Sequence, residues 1–161
     1  MIINEVMTKT VDGFNDAIEL HNTTDREINI GNWYLGDHTE ADDDAPGDNL
    51  MRYRIAPDTI IPAGGYLVFS RQSHFANPSD PGRITDFGLS SNGEAVHLIA
   101  ADELGKMLGY SDSAEFSATE IGMSFGRVRL SDGSWSFMPM STPTLGSANS
   151  EPRIGPVVID Q

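Results

Sequence analysis

The feature that most limits the fold of this chain is a hydrophobic period of two. Met51, Tyr53 and Ile55 alternate with Arg52 and Arg54, so one face of that segment is apolar and the other charged. Ile18 and Leu20 alternate with Glu19 and His21, and Val96 and Leu98 flank His97. Ile28 with Ile30, Trp33 with Leu35, and Trp135 with Phe137 repeat the pattern. Side chains of an extended chain point alternately to opposite faces, so these segments read as half-buried β-strands. Residues 66–69 form a short continuous apolar run, suited to a central strand.

Turn chemistry separates the runs. Asn92-Gly93 suits a type I′ hairpin turn, and Ala63-Gly64-Gly65 and Asp132-Gly133 mark further turns. The reading gives about eight to ten short strands. No stretch carries a long helical period; residues 111–119 are assigned one short helix. Many short strands divided by Gly and Pro require two packed sheets, because a single sheet leaves one apolar face wet. The expected fold is all-β: an immunoglobulin-like antiparallel β-sandwich with long loops, its sheets held together by packing around Trp33. Residues 37–49, 72–91 and 109–121 read as the long loops. Residues 1–150 form the domain. Residues 151–161 read as a linker and the possible start of a following module, because Val157-Val158-Ile159-Asp160 echoes Met1-Ile2-Ile3-Asn4.

Composition narrows the function classes. Ten Lys and Arg stand against 24 Asp and Glu, a formal charge of -14. That balance argues against gripping nucleic acid or anionic lipid, which needs clustered cations. Cysteine is absent, which removes disulfides, thiolate zinc sites and Cys nucleophiles. No apolar run approaches the roughly 18 residues of a membrane helix, and no signal peptide is visible. Lys occurs only at Lys9 and Lys106. An acid-rich, Lys-poor surface fits a salty or calcium-rich exterior, or simple drift in surface composition.

The order of several blocks resembles one family. Ile2-Ile3-Asn4-Glu5-Val6-Met7 resembles the opening strand of a lamin tail domain. Blocks starting at Ala17, Ile30, Ile60, Leu89 and Ser124 are similar to its later strands and turns. Ser141-Thr142-Pro143-Thr144-Leu145-Gly146-Ser147-Ala148-Asn149 is similar to its closing segment. The resemblance spans residues 1–149 and implies an immunoglobulin-like sandwich without catalytic residues. No heptad repeat of a lamin rod is present, which points to the bacterial type found in secreted or surface proteins. Glu5 and Glu19, set between apolar neighbours, are expected to face solvent or pair with Arg.

The sequence carries three candidate chemistries. The segment from Asp37 to Asp48 carries six acids, Asp37, Glu40, Asp42, Asp43, Asp44 and Asp48, and no Lys or Arg. Clustered carboxylates suit a hard cation with oxygen ligands, so calcium is the candidate cofactor. An EF-hand register fails, since Pro46 and Tyr53 occupy ligand positions; the plain reading is a solvated acidic loop. Gly122-Met123-Ser124-Phe125-Gly126 matches a nucleophile elbow, but that motif needs a strand, a sharp turn and a helix, and a strand pattern follows here. His21, His38, His74 and His97 form no metal motif and are read as surface or packing residues. Asn22-Thr23-Thr24 is a glycosylation sequon read as a turn. Arg52, Arg54, Arg127 and Arg129 are expected to pair with acids across strands rather than form one patch.

The expected function is therefore a non-catalytic interaction or spacer module. Its partners would be other domains of the same polypeptide and a protein or glycan. A calcium-binding adhesive module is the alternative, and a serine hydrolase using Ser124 the remote one.

Overall fold

A computed structural model describes residues 1–8, 16–38 and 50–153. Among these residues lie eleven strands: β1 (Ile2–Met7), β2 (Ala17–His21), β3 (Ile28–Asn29), β4 (Tyr34–His38), β5 (Tyr53–Arg54), β6 (Ile60–Ile61), β7 (Tyr66–Ser70), β8 (Gly93–Ala101), β9 (Met107–Ser117), β10 (Ser124–Arg129) and β11 (Trp135–Pro139). One sheet runs β11-β10-β1-β2-β7 and the other β5-β4-β8-β9; β3 and β6 form a separate two-stranded ribbon. Every pairing is antiparallel. The molecule is an immunoglobulin-like β-sandwich.

The two large sheets bury one shared core. Ile3 and Val6 of β1 and Ile18 and Leu20 of β2 join Leu35 of β4, Val96 and Leu98 of β8, and Phe116 of β9 in it. These are the apolar members of the alternating runs. Burying each contributes about 1.5–3 kcal/mol. Trp33 does not hold the layers together as expected. It is partly buried, packs against this core, and lies 5.8 Å from the Tyr110 ring. Branched aliphatic and phenylalanine side chains fill the interior instead.

Residues 111–119 are not helical. β9 pairs residue by residue with β8, from Gly93↔Ser117 to Ile99↔Ser111. Ala114 and Phe116 are buried on one face of it, a spacing of two that sheet pairing enforces over local propensity. The expected long loop 109–121 is therefore mostly strand. The run at 66–69 is a strand, but β7 lies at a sheet edge rather than in the centre. Only Gly93 (φ +98°) adopts positive φ in the Asn92-Gly93 turn, so the type I′ geometry is not formed.

The segment 72–91 is packed rather than open. A single π-type helical turn, Arg71–Phe75, opens it, with the Ser70 hydroxyl accepting from the Ser73 N–H. Phe75 is fully buried and stacks on Phe87 at 4.4 Å. Asp16 pins both ends of the segment. Its carbonyl accepts the Arg71 N–H at 2.8 Å, and its carboxylate accepts the Leu89 N–H at 2.8 Å.

Candidate functional site

Glu5 and Glu19 stand directly opposite each other across β1 and β2. The period of two puts them on the face away from Ile18 and Leu20, yet both are 0% exposed. The expectation that they face solvent or pair with Arg is corrected by what covers them. The closing segment, residues 142–149, crosses the outer face of the sheet and supplies donors. The Thr144 N–H donates to Glu5 at 2.9 Å and the Thr144 hydroxyl at 3.0 Å. The Gly146 N–H donates to Glu19, and Asn4 Nδ2 donates to Glu19 at 2.7 Å.

Two like charges directly opposed destabilise a sheet. Here N–H and O–H groups aimed at each carboxylate replace the lost water. Burial pushes the Glu19 carboxyl above its ordinary value; the bonds from Asn4 and Gly146 pull it down, and the neighbouring Glu5 charge raises it. The strap also fixes a glycine. A Cβ on Gly126 would lie 2.7 Å from both Asn149 Nδ2 and Met140 Sδ, so the close approach of the segment requires a bare backbone there.

Ser124 is fully buried at the start of β10 and donates its hydroxyl to Glu5 at 2.5 Å. Gly122 (φ +77°) turns the chain into a strand, not a helix. The acceptor is a carboxylate that also anchors the strap, not an imidazole. This arrangement orders structure and leaves no exposed nucleophile at Ser124.

His21 and His74 serve packing. His21 stacks on Tyr66 at 4.2 Å, and burial lowers its pKa. His74 Nδ1 accepts the Ser70 N–H at 3.0 Å and lies edge-on to Phe69. His97 sits on β8 between Gly36 and Ser113. The His38 side chain lies outside the described residues. Two of the four arginines pair with acids: Arg52 with Asp37 at 3.1 Å, and Arg127 with Asp112 at 2.8 Å. Arg54 reaches the Glu103 carbonyl at 2.6 Å. β5 and β10 belong to different sheets, so these arginines form no common patch. Asn22 of the sequon is fully buried within its turn.

Of the six candidate calcium ligands, Asp37 is buried on β4 against Arg52. Glu40, Asp42, Asp43, Asp44 and Asp48 lie outside the described residues. Among the described residues no group of three or more His, Asp or Glu could hold a metal ion. Sequence reasoning missed Glu94, which occupies the same end of the sandwich. It is 8% exposed; its Oε1 accepts the Ser90 N–H at 2.6 Å, and its Oε2 has no hydrogen-bond partner among the described residues. Burial, aided by the Asp37 and Asp16 charges, pushes its carboxyl up to about 7.

That value predicts a pH dependence. The folded chain holds a proton on Glu94 that an unfolded glutamate, near 4.5, releases earlier. The contribution is full below pH 4.5 and is lost as pH rises through 7. Urea midpoints are expected to fall from about pH 5 to about pH 8, and Glu94→Gln, which keeps the acceptor for Ser90, flattens that fall. Equal slopes in both proteins would contradict this.

An apolar surface occupies the outer face of the second sheet. Met107 is 55% exposed. With Leu50, His97 and Ile99 it lines a depression of about 290 Å³.

The family model of the lamin tail domain matches residues 1–112. The chain belongs to the lamin tail domain family. In this lamin tail domain the matched residues carry β1 to β8 and the first half of β9. β10, β11 and the strap lie beyond the match, yet they supply Ser124, Thr144 and Gly146 to the paired glutamates. No curated protein and no solved structure matches the chain.

Proposed function

We propose that this lamin tail domain is a non-catalytic interaction or spacer module of a larger secreted or surface protein of bacterial type. It contacts other domains of the same polypeptide and a protein or glycan partner. The observation that carries the reading is the division of its side chains. The buried polar groups Glu5, Glu19 and Ser124 are spent on holding the strap. Exposed Met107 gathers with Leu50, His97 and Ile99 around a mostly apolar depression on a sheet face, as contact surfaces do. Among the described residues no helix is long and apolar enough to cross a membrane.

A panel of ester, glycosidic and phosphate-ester substrates tests the first half: no turnover above a denatured control is expected. Turnover that Ser124→Ala abolishes would overturn it. The reading frame around the chain tests the second half. A secretion signal upstream fits, whereas a heptad rod upstream would place the chain among nuclear lamins.

Calcium binding at the acidic end is the second reading, favoured by the buried Glu94 Oε2 and the nearby Asp16 and Asp37 charges. The loop acids Asp37, Glu40, Asp42, Asp43, Asp44 and Asp48 would supply further hard oxygen ligands. Millimolar calcium is then expected to raise the melting temperature, and the rise to vanish in Asp42→Asn/Asp44→Asn. An unchanged melting temperature removes this reading.

A further inference from the structure

The turn that leads into β8 sets an exposed amide beside a bare backbone nitrogen. Asn92-Gly93 is the only Asn-Gly pair in the sequence, and Asn92 is exposed. The Asn92 N–H donates to the Ser90 hydroxyl oxygen at 3.2 Å, and the Gly93 N–H donates to the Ser90 carbonyl at 3.2 Å. Both bonds lie at the long end of the normal range. Among the described residues the Asn92 side chain makes no hydrogen bond, so its amide can swing onto the backbone.

The other described asparagines are held or blocked. Asn4 Nδ2 is spent on Glu19, Asn22 Nδ2 on carbonyls that include that of Arg26, and Asn149 Nδ2 on the Arg127 carbonyl. Asn77 precedes Pro78, which has no N–H. Asn29 and Asn32 precede Ile30 and Trp33, whose side chains crowd the nitrogen that follows. Asp132-Gly133 has the same spacing, but its carboxylate is held by the Ser134 N–H at 2.9 Å and the Ser134 hydroxyl at 2.6 Å.

We propose that Asn92 is a site of spontaneous modification. The Gly93 nitrogen closes on its side chain, and the product, aspartate or isoaspartate, loosens the start of β8. The Gly93 nitrogen loses its proton to hydroxide and attacks Cγ of Asn92. The new N–Cγ bond closes a five-membered succinimide, the Cγ–Nδ2 bond breaks, and Nδ2 leaves as ammonia. Water then opens the ring at either carbonyl. Opening at Cγ leaves aspartate; opening at the backbone carbonyl leaves isoaspartate, with the main chain running through Cγ. Water enters, ammonia leaves, and nothing is oxidised or reduced.

The fold itself keeps the attacking nitrogen unobstructed. Gly93 has φ +98°, and a Cβ there would lie 2.7 Å from the Phe116 carbonyl oxygen, so glycine is required. The same crowding makes the product disruptive. Isoaspartate lengthens the main chain by a methylene between residues 92 and 93. Gly93 is paired with Ser117 and has no space to shift toward β9. The added length therefore falls on the turn, where the Ser90 N–H donates to Glu94 Oε1 at 2.6 Å, and that tie is lost.

Incubation of the 161-residue chain in mildly alkaline buffer tests this. Peptide mapping is expected to show the exchange of NH2 for OH first at residue 92, with isoaspartate detected there by an isoaspartyl methyltransferase. Because the turn opens easily, the folded chain should react within about tenfold of the rate of the urea-unfolded chain. The urea midpoint of the aged chain should fall below that of the fresh chain, while aged and fresh Asn92→Ser should agree. Folding that slows the reaction by about 100-fold or more would overturn the proposal, since the turn would then shield the amide. Earlier reaction at another described asparagine, or conversion at residue 92 with an unchanged midpoint, would overturn it as well.

Discussion

Replacing Glu5 by alanine is expected to lower the unfolding free energy by about 3–5 kcal/mol. Three donors lose their acceptor at once: the Ser124 hydroxyl, the Thr144 N–H and the Thr144 hydroxyl. Each hydrogen bond to a charged group contributes about 1.5–3 kcal/mol, and an orphaned buried donor adds its desolvation cost. Relief of the charge opposition with Glu19 offsets part of this. Release of the strap into water limits the total, because freed N–H groups are then solvated. Ser124→Ala removes one donor and is expected to cost about 1 kcal/mol. Urea denaturation followed by tryptophan emission measures both. A Glu5→Ala loss no larger than that of Ser124→Ala would mean that the carboxylate does not anchor the strap.

Asn22→Ala is expected to cost about 2–4 kcal/mol by the same measurement. Asn22 is fully buried at the end of β2. Its Nδ2 donates to the carbonyls of Arg26 at 2.7 Å, Ile61 at 3.0 Å and Pro62 at 3.0 Å. Its Oδ1 accepts the Thr24 N–H at 3.1 Å and the Thr24 hydroxyl at 2.8 Å. One amide thus closes its own turn and ties it to the strand β6. Asn22→Asp should cost more than alanine, because an anion would face three carbonyl oxygens. The same geometry closes the sequon: Nδ2 is unavailable to a glycosyl donor once the chain has folded. Expression in a glycosylating host is expected to yield the unmodified mass, and a glycan on Asn22 would contradict the buried placement.

The period of two located most of the sandwich, because each apolar member of an alternating run meets the opposite sheet. The same rule misled at Glu5 and Glu19. It assigned their face correctly, but alternation says nothing about whether a distant segment covers that face. The signal lay in two acids inside apolar strands and in a Thr-Pro-Thr-Leu-Gly block with no partner of its own. Residues 111–119 were misread because Ser, Asp and Glu dominate them. The spacing of Asp112, Ala114 and Phe116 carried the strand, and pairing with β8 settled it. Trp33 was overrated as a centrepiece, since ring size alone does not tell the core from its margin. Glu94 was invisible because its burial depends on Ser90 and on acids far away in the chain. Of the acidic loop, the structure places Asp37 beside Arg52.

The anchoring of the closing segment on the paired glutamates is the claim on which the rest depends. Amide proton spectra of Thr144 and Gly146 through an acid titration test it most directly. Both protons are expected far downfield at neutral pH, as donors to carboxylates are, and the Gly146 proton should move upfield as the Glu19 carboxyl, held above its ordinary value by burial, takes up its proton. Random-coil shifts that ignore the titration would show that the strap does not rest on Glu5 and Glu19.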